Sequence, residues 1–262
     1  MYYAMELHIK NQNFIVTGAS SGFGRSVAVS LMEEGATVYA VARRKELLGE
    51  LKYTYDSRFE YVVGDITDEN IVSKIIDKIG LTEIHGVFIN AGGPPAKAFL
   101  ETEMPDWDEA YQKLLRWKVD LAQRLIPAFI KQKYGRILFL ESSSVKQPVE
   151  NLVLSTSLRM AVVGMAKTLS QELASYGITV NVLAPGYHNT SAIERLIRKK
   201  SEKEFISFED AKKQFEQETR LGFMGDPNDL ASLGLWLLSP QSKFVTGQTI
   251  SVAGGAINGV FG

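Results

Sequence analysis

Cysteine is absent from the sequence, which excludes disulfides, thiolate nucleophiles and cysteine-ligated metal sites and suits a reducing compartment, so a cytoplasmic location is the expectation. A surplus of either charge is missing too. Lys and Arg number 29 against 30 Asp and Glu, and the formal net charge of −1 gives no global field to draw nucleic acid or anionic lipid. The one basic run, Arg198 to Lys203, is broken by Ser201 and Glu202 and reads as a solvated helix face. No apolar stretch approaches the ~20 residues that span a bilayer, and Met1 to Lys10 lacks the apolar core of a signal peptide. Repeats, low-complexity tracts and Pro- or Gly-rich linkers are also lacking, so no domain boundary is drawn. What remains is a 262-residue chain, 45% hydrophobic and 23% charged, of ordinary globular composition and long enough for one large core.

Short runs rich in Val, Ile and Phe alternate with longer amphipathic segments, the pattern of strand–helix–strand units built on a parallel sheet. Strands are expected at Phe14 to Val16, Thr37 to Val41, Phe59 to Val63, Gly86 to Ile89, Arg136 to Leu140, Thr179 to Leu183 and Thr249 to Val252. Helices are expected at Arg25 to Glu34, Glu69 to Ile79, Trp107 to Gln132, Leu152 to Tyr176 and Asn228 to Leu238. The fold class implied is α/β, a Rossmann-type doubly wound, seven-stranded, mostly parallel sheet with helices on both faces. One connection is long. Between about 190 and 225 a charged, helix-prone insertion (Ile193 to Lys200, Phe208 to Glu218) has the character of a substrate lid, and Ile193 and Phe208 with Phe99, Met104 and Trp107 could line an apolar pocket.

Thr17-Gly18-Ala19-Ser20-Ser21-Gly22-Phe23-Gly24 follows the first strand directly and opens the first helix. Backbone N–H groups and the helix dipole converge there, where a dinucleotide pyrophosphate would lie. A glycine triplet by itself is weak evidence; its place in the first strand–turn–helix unit makes it stronger. The end of the second strand carries Ala42 followed by Arg43 and Arg44, with no Asp or Glu to bond the two ribose hydroxyls of NAD(H). Two guanidinium groups suit the 2′-phosphate of NADP(H), which makes NADP(H) the expected cofactor and NAD(H) the alternative. Asp65 and Ile66, after the third strand, and Asn90, Ala91 and Gly92, after the fourth, complete the expected adenosine side of the site.

Taken together these motifs resemble the short-chain dehydrogenase/reductase family, and the likeness covers nearly the whole chain. Further matching pieces are Gly135-Arg136-Ile137, Pro185-Gly186 with Thr190, and Thr246-Gly247-Gln248 leading to Gly254-Gly255. The resemblance implies a nicotinamide cofactor, carbonyl reduction or alcohol oxidation on a small-molecule substrate, and a homodimer or homotetramer built on two long helices. Those helices are expected to carry apolar residues on more than one face, among them Leu121, Leu125, Phe129, Val162, Met165 and Leu169, with one side on the sheet and the other needing a cover.

The family's active site uses Asn, Ser, Tyr and Lys, with the Tyr 13 residues after the Ser and the Lys four after the Tyr. Counted from Gly135-Arg136, the serine position falls on Ser142, the tyrosine on Ser155, the lysine on Arg159 and the asparagine on Leu114. The family tyrosine moves a proton while its lysine lowers a phenol pKa of about 10 and grips the nicotinamide ribose. Serine is a far weaker acid, and guanidinium does not deprotonate in proteins. Arg159 would retain the ribose contact, joining Pro185, Gly186 and Thr190 around the cofactor. Tyr187 and Lys146 are the expected substitutes for the missing proton donor, with His188 a third. Two functions remain open: an NADP(H)-dependent oxidoreductase of divergent mechanism, and an NADP(H)-binding protein without turnover.

Overall fold

Seven strands make one sheet in the computed structural model, which describes residues 6–260; Met1 to Met5 of the N-terminal segment considered above lie outside the described residues. The strands are β1 (Asn13–Thr17), β2 (Thr37–Ala42), β3 (Phe59–Val63), β4 (Gly86–Ile89), β5 (Gly135–Leu140), β6 (Ile178–Pro185) and β7 (Thr249–Val252). Their order is β3-β2-β1-β4-β5-β6-β7, and every adjacent pair is parallel. Every residue of β5 and β6 is buried, which is why both read as mostly apolar rather than alternating, with Arg136, Thr179 and Asn181 as buried polar exceptions. The helices are α1 (Gly22–Glu33), α2 (Lys45–Tyr55), α3 (Glu69–Ile79), α4 (Met104–Tyr111), α5 (Trp117–Gln132), α6 (Val153–Glu172), α7 (Ser191–Glu204), α8 (Phe208–Gln217) and α9 (Pro227–Leu238).

Two apolar layers hold the helices on the sheet. Val27 and Leu31 of α1, Leu48 and Leu51 of α2 and Leu230 and Leu235 of α9 pack with Phe14, Val16 and Leu138 on one face. Ile71 and Ile75 of α3, Leu121, Leu125 and Phe129 of α5 and Val162 of α6 pack with Ile15, Val87 and Phe139 on the other. The same packing corrects one expectation. Leu121, Leu125, Phe129 and Val162 all face the sheet, and Met165 and Leu169 pack against that layer, so these side chains do not form a separate outer face.

Three local features differ from the sequence pattern. α2 was not expected; only Leu48 and Leu51 are buried along it, a stripe too narrow to stand out in a charged segment. The long helix expected from Trp107 begins earlier, at Met104, and widens into a π-turn at Gln112–Arg116 before continuing as α5. Leu114 sits inside that turn, and π-turns are frequent at functional sites. α6 ends at Glu172, short of the expected Tyr176, and a 3₁₀ turn follows.

The 190–225 insertion folds as α7 and α8, capped by Thr190 accepting from Ile193 N and Ser207 accepting from Asp210 N. Ile197, Ala211, Phe215 and Met224 give it a small core of its own, with Tyr187, Ile193, Ile206 and Phe208 packed against it.

Burial holds the imidazoles of His85 and His188 below their ordinary pKa. Below about pH 6.5 the unfolded chain takes up protons there that the folded chain resists. The stability tied to their neutral forms is therefore complete above about pH 6.5 and is lost as pH falls towards the folded values. The melting temperature should drop between about pH 7.5 and about pH 5.5, and drop less in a His85→Gln/His188→Gln variant. Identical drops in the two proteins would refute this.

Candidate active site

Parallel strands carry their carboxyl ends to one edge, and the order reverses between β1 and β4, the place where open α/β sheets form a ligand crevice. There Thr17 Oγ1 lies 2.7 Å from both the amide nitrogen and the carbonyl oxygen of Asn90, accepting from the first and donating to the second. Gly18 is left-handed, with φ +67°, and a Cβ at Gly24 would come within 2.3 Å of the Gly18 carbonyl oxygen. The turn therefore folds back on the first turn of α1 only without side chains at these two places. Ser21, the N-cap of α1, makes no side-chain cap, whereas Asp68, Thr190, Ser207 and Asp226 cap α3, α7, α8 and α9. Among the described residues, the first N–H groups of α1 thus have no side-chain cap.

Arg44 reaches over this turn. Its Nε and Nη2 donate to Ser20 Oγ at 3.2 and 3.1 Å, and Nη2 also donates to Ser21 Oγ. Arg43 is exposed and lies 3.5 Å from Asp65 Oδ2, while Asp65 Oδ1 accepts from Thr67 N and Oγ1. Ile66 is buried, Ala91 packs on the sheet layer below, and the Gly92 backbone faces open space. Across the crevice Gly186 N donates to Val252 O at 2.9 Å just beyond Pro185, and Thr190 Cγ2 lies 3.4 Å from where a Gly22 Cβ would sit. The structure thus brings together at one edge the residues expected from the glycine turn, from Arg43 and Arg44, from Asn90 to Gly92 and from the β6 loop. Phe23, at the start of α1, meets the His188 ring edge-on at 5.0 Å.

The inner end of the crevice holds a buried chain of charge. Ser142 caps a 3₁₀ turn, Ser143–Val145, by accepting from Ser144 N at 3.2 Å, and Lys146 closes that turn. One residue before it, the Glu141 side chain is fully buried; its Oε1 accepts from Lys118 Nζ and its Oε2 from Arg159 Nη1 at 2.9 Å. Arg159 Nε in turn donates to Ser155 Oγ, one helical turn earlier, at 3.0 Å. Lys118 is 1% exposed, and burial pushes its ammonium below the ordinary lysine value, with Arg159 reinforcing and Glu141 opposing. Sequence reasoning missed Lys118 and Glu141. The signal was a lysine in register with Leu114, Trp117 and Leu121 on a buried face, and a glutamate ending an otherwise apolar strand.

Tyr187 lies elsewhere than the sequence suggested. The Tyr187 ring packs edge-on against Phe215 of the insertion at 5.0 Å. Burial, reinforced by Glu218, pushes its pKa up to about 12. His188 Nδ1 donates to Gly186 O at 3.1 Å. Beside this loop Thr190, Ile193, Ile197, Phe208 and Met224 line a cavity of about 330 Å³; Phe99 and Trp107 pack against each other at 6.5 Å. Among the described residues no cluster of three or more His, Asp or Glu could hold a metal ion, and no helix is long and apolar enough to cross a membrane.

Fold and crevice together define a doubly wound dinucleotide-type α/β protein. Residues 18–256 match the family model described as enoyl-(acyl carrier protein) reductase, and the chain belongs to the short-chain dehydrogenase/reductase family, a family of oxidoreductases. It is 29% identical over 256 residues to the 3-oxoacyl-[acyl-carrier-protein] reductase FabG of Staphylococcus epidermidis, with 94% of this chain and 98% of the relative covered. An actinorhodin polyketide ketoreductase solved with NADPH superimposes with a TM-score of 0.87 at 26% identity, covering 95% of this chain and 98% of the other. The L-sorbose reductase of Gluconobacter frateurii, solved with NADPH and L-sorbose, gives 0.91 at 23% identity, with 98% and 100% covered.

Removing the Glu141 charge would leave two buried cations without their shared partner. Glu141→Gln should therefore lower stability by about 3–5 kcal/mol, read by urea denaturation; a loss below about 1 kcal/mol would show the carboxylate to be dispensable for the fold.

Proposed function

We propose that the protein is an NADP(H)-dependent oxidoreductase acting on a carbonyl or alcohol substrate without the family's usual acid–base pair. The observation that carries the cofactor choice is the Arg44 fork over Ser20 and Ser21, with Arg43 beside it and Asp65 already engaged. Two guanidinium groups at this place match a 2′-phosphate in charge and geometry. The uncapped start of α1 and the Gly18–Gly24 contact fit a pyrophosphate. Asn90, Ala91, Gly92, Pro185, Gly186 and Thr190 would line the rest of the cofactor, with Arg159 at the nicotinamide ribose. The NADPH named for the polyketide ketoreductase and the sorbose reductase supports the same choice, and the ketoreductase and FabG likenesses support a ketone substrate class.

When bound, the nicotinamide supplies or takes the hydride. The chain's own part is to orient and polarise. Ser142 and Ser155 present hydroxyls near the carbonyl, and Arg159 adds fixed positive charge through Ser155. Proton delivery falls to Lys146 or to water held by the serines. Tyr187, with its raised pKa and its ring packed against Phe215, is the weaker candidate. A second reading, cofactor binding without turnover, is favoured by one observation: Ser155 and Arg159, at the positions of the family's proton-transferring pair, hydrogen-bond each other. Oxidation of NADPH by a panel of ketones and aldehydes separates the two, because binding occurs in both and turnover in the first only.

Fluorescence titration should show NADPH binding more tightly than NADH, and Arg44→Ala should weaken NADPH by about 1.5–3 kcal/mol while leaving NADH nearly unchanged. Equal affinities in the parent protein would overturn the cofactor assignment. Given a substrate, Lys146→Met should slow NADPH oxidation by roughly 10²–10⁴-fold if its ammonium is the acid. Tyr187→Phe and His188→Gln should stay near the parent rate. A parent-like rate in all three variants would leave proton delivery to water. We also propose a homodimer or homotetramer through α5 and α6, which a monomer in light scattering at micromolar concentration would refute.

A further inference from the structure

Lys118 and Glu141 have no part in the family pattern, yet they form the most deeply buried ion pair among the described residues, their side chains 1% and 0% exposed. Three explanations compete. As a proton relay the chain fails, because any proton passing from Lys118 towards the crevice would have to cross Arg159, and guanidinium does not deprotonate in proteins. As a purely structural cluster it is costly, because one carboxylate is shared by two basic side chains in a dry interior, where apolar residues of equal volume would be as stable or more so. The third explanation rests on the geometry of Arg159. Arg159 is the member nearest solvent, its side chain 10% exposed, and it is held at two nitrogens: Nε on Ser155 Oγ and Nη1 on Glu141 Oε2. Its third nitrogen, Nη2, lies 3.2 Å from where a Cβ on Gly93 would stand, in the loop after β4 at the carboxyl edge of the sheet.

We propose that Glu141 and Lys118 are positioning residues that fix the Arg159 guanidinium, with its Nη2 edge turned to the Gly93 loop, for hydrogen bonding to the nicotinamide ribose; this rests on the NADP(H) reading above. Glu141 sets the direction of the guanidinium plane. Lys118 holds the second carboxylate oxygen from α5 and so stops Glu141 from rotating towards the crevice, where it would repel the cofactor phosphates. The π-turn of Gln112–Arg116, one turn before Lys118, shifts the register of this helix at the point where it approaches α6. Arg159 then performs from a fixed place what a flexible lysine performs by reach: it is planar, permanently charged and committed on two sides.

The test uses the full-length protein, with NADPH and NADH titrated by fluorescence and the melting temperature of the cofactor-free protein as a folding control. Lys118→Met/Glu141→Gln removes the pair together and leaves Arg159 as the single buried charge. Arg159→Met removes the guanidinium, and the triple variant combines them. The double variant is expected to melt cooperatively and to bind NADPH about tenfold more weakly. Its preference for NADPH over NADH should be unchanged, since Arg43 and Arg44 are intact. Arg159→Met should weaken NADPH at least as much, and the triple variant no more than Arg159→Met does, because the pair acts through Arg159 alone. Parent-like affinity in the double variant, or losses that add in the triple variant, would overturn the positioning role while leaving the cofactor reading standing. A parent protein that binds neither nucleotide would overturn both. Lys118→Met by itself, which keeps the Glu141–Arg159 pair, covers the case in which the double variant does not fold: about a threefold weakening is expected, and parent affinity would overturn the proposal.

Discussion

All seven strands run the same way, and the rest of the molecule follows from that constraint. A parallel pair cannot be closed by a hairpin, so each connection must return across a face of the sheet, and helices on both faces leave the strands dry on both sides. Every strand then ends at the same edge. Thr17, Ala42, Val63, Ile89, Leu140 and Pro185 all deliver their following residues there, which gathers Gly18, Arg43, Asp65, Asn90, Glu141 and Gly186 from six separate places in the chain. The reversal of strand order between β1 and β4 opens the crevice that these residues surround.

Burial decides which of those residues sit rigidly and which remain adaptable. On the outer side Arg43 and Asp65 are largely exposed, so their 3.5 Å pair is screened and contributes little to stability. At the inner end Glu141, Lys118 and Arg159 are out of water, and breaking one contact leaves a buried charge unmatched. The cofactor crevice thus grades from a solvated cationic rim to a dry, fixed centre.

The strands were legible because each is a short Val-, Ile- or Phe-rich run between turn residues, and a dry parallel strand has no alternating pattern to confuse the reading. The glycine turn was legible because a left-handed Gly18 and a close-packed Gly24 leave chemistry visible in single letters. Other features were hidden for physical reasons. α2 buries two leucines in a charged stretch, and the π-turn at Gln112–Arg116 leaves the apolar period nearly unbroken. The Lys118–Glu141 pair joins residues 23 apart in sequence on two different elements, and charged residues are so seldom fully buried that each one, read singly, suggests surface. Tyr187 misled for a related reason: a loop beside the crevice can turn its aromatic ring into the small core of the insertion, and Phe215 draws it there.

The arrangement separates two tasks that a Tyr and Lys pair performs together. A lysine next to a phenol both binds and tunes a proton, because each can change charge; an arginine next to a serine can bind and orient but cannot titrate near neutral pH. Charge at 159 is therefore constant across the physiological range, and any pH dependence of turnover must originate in another group. Tyr187 is a poor source, since a phenol pushed up to about 12 by burial stays protonated and gives its proton up reluctantly. A proton donor elsewhere in the crevice imposes fewer constraints, because it does not have to be coupled to Arg159. On the proposed function, the buried triad serves the cofactor end of the crevice, and proton supply falls to the Ser142–Lys146 turn or to water.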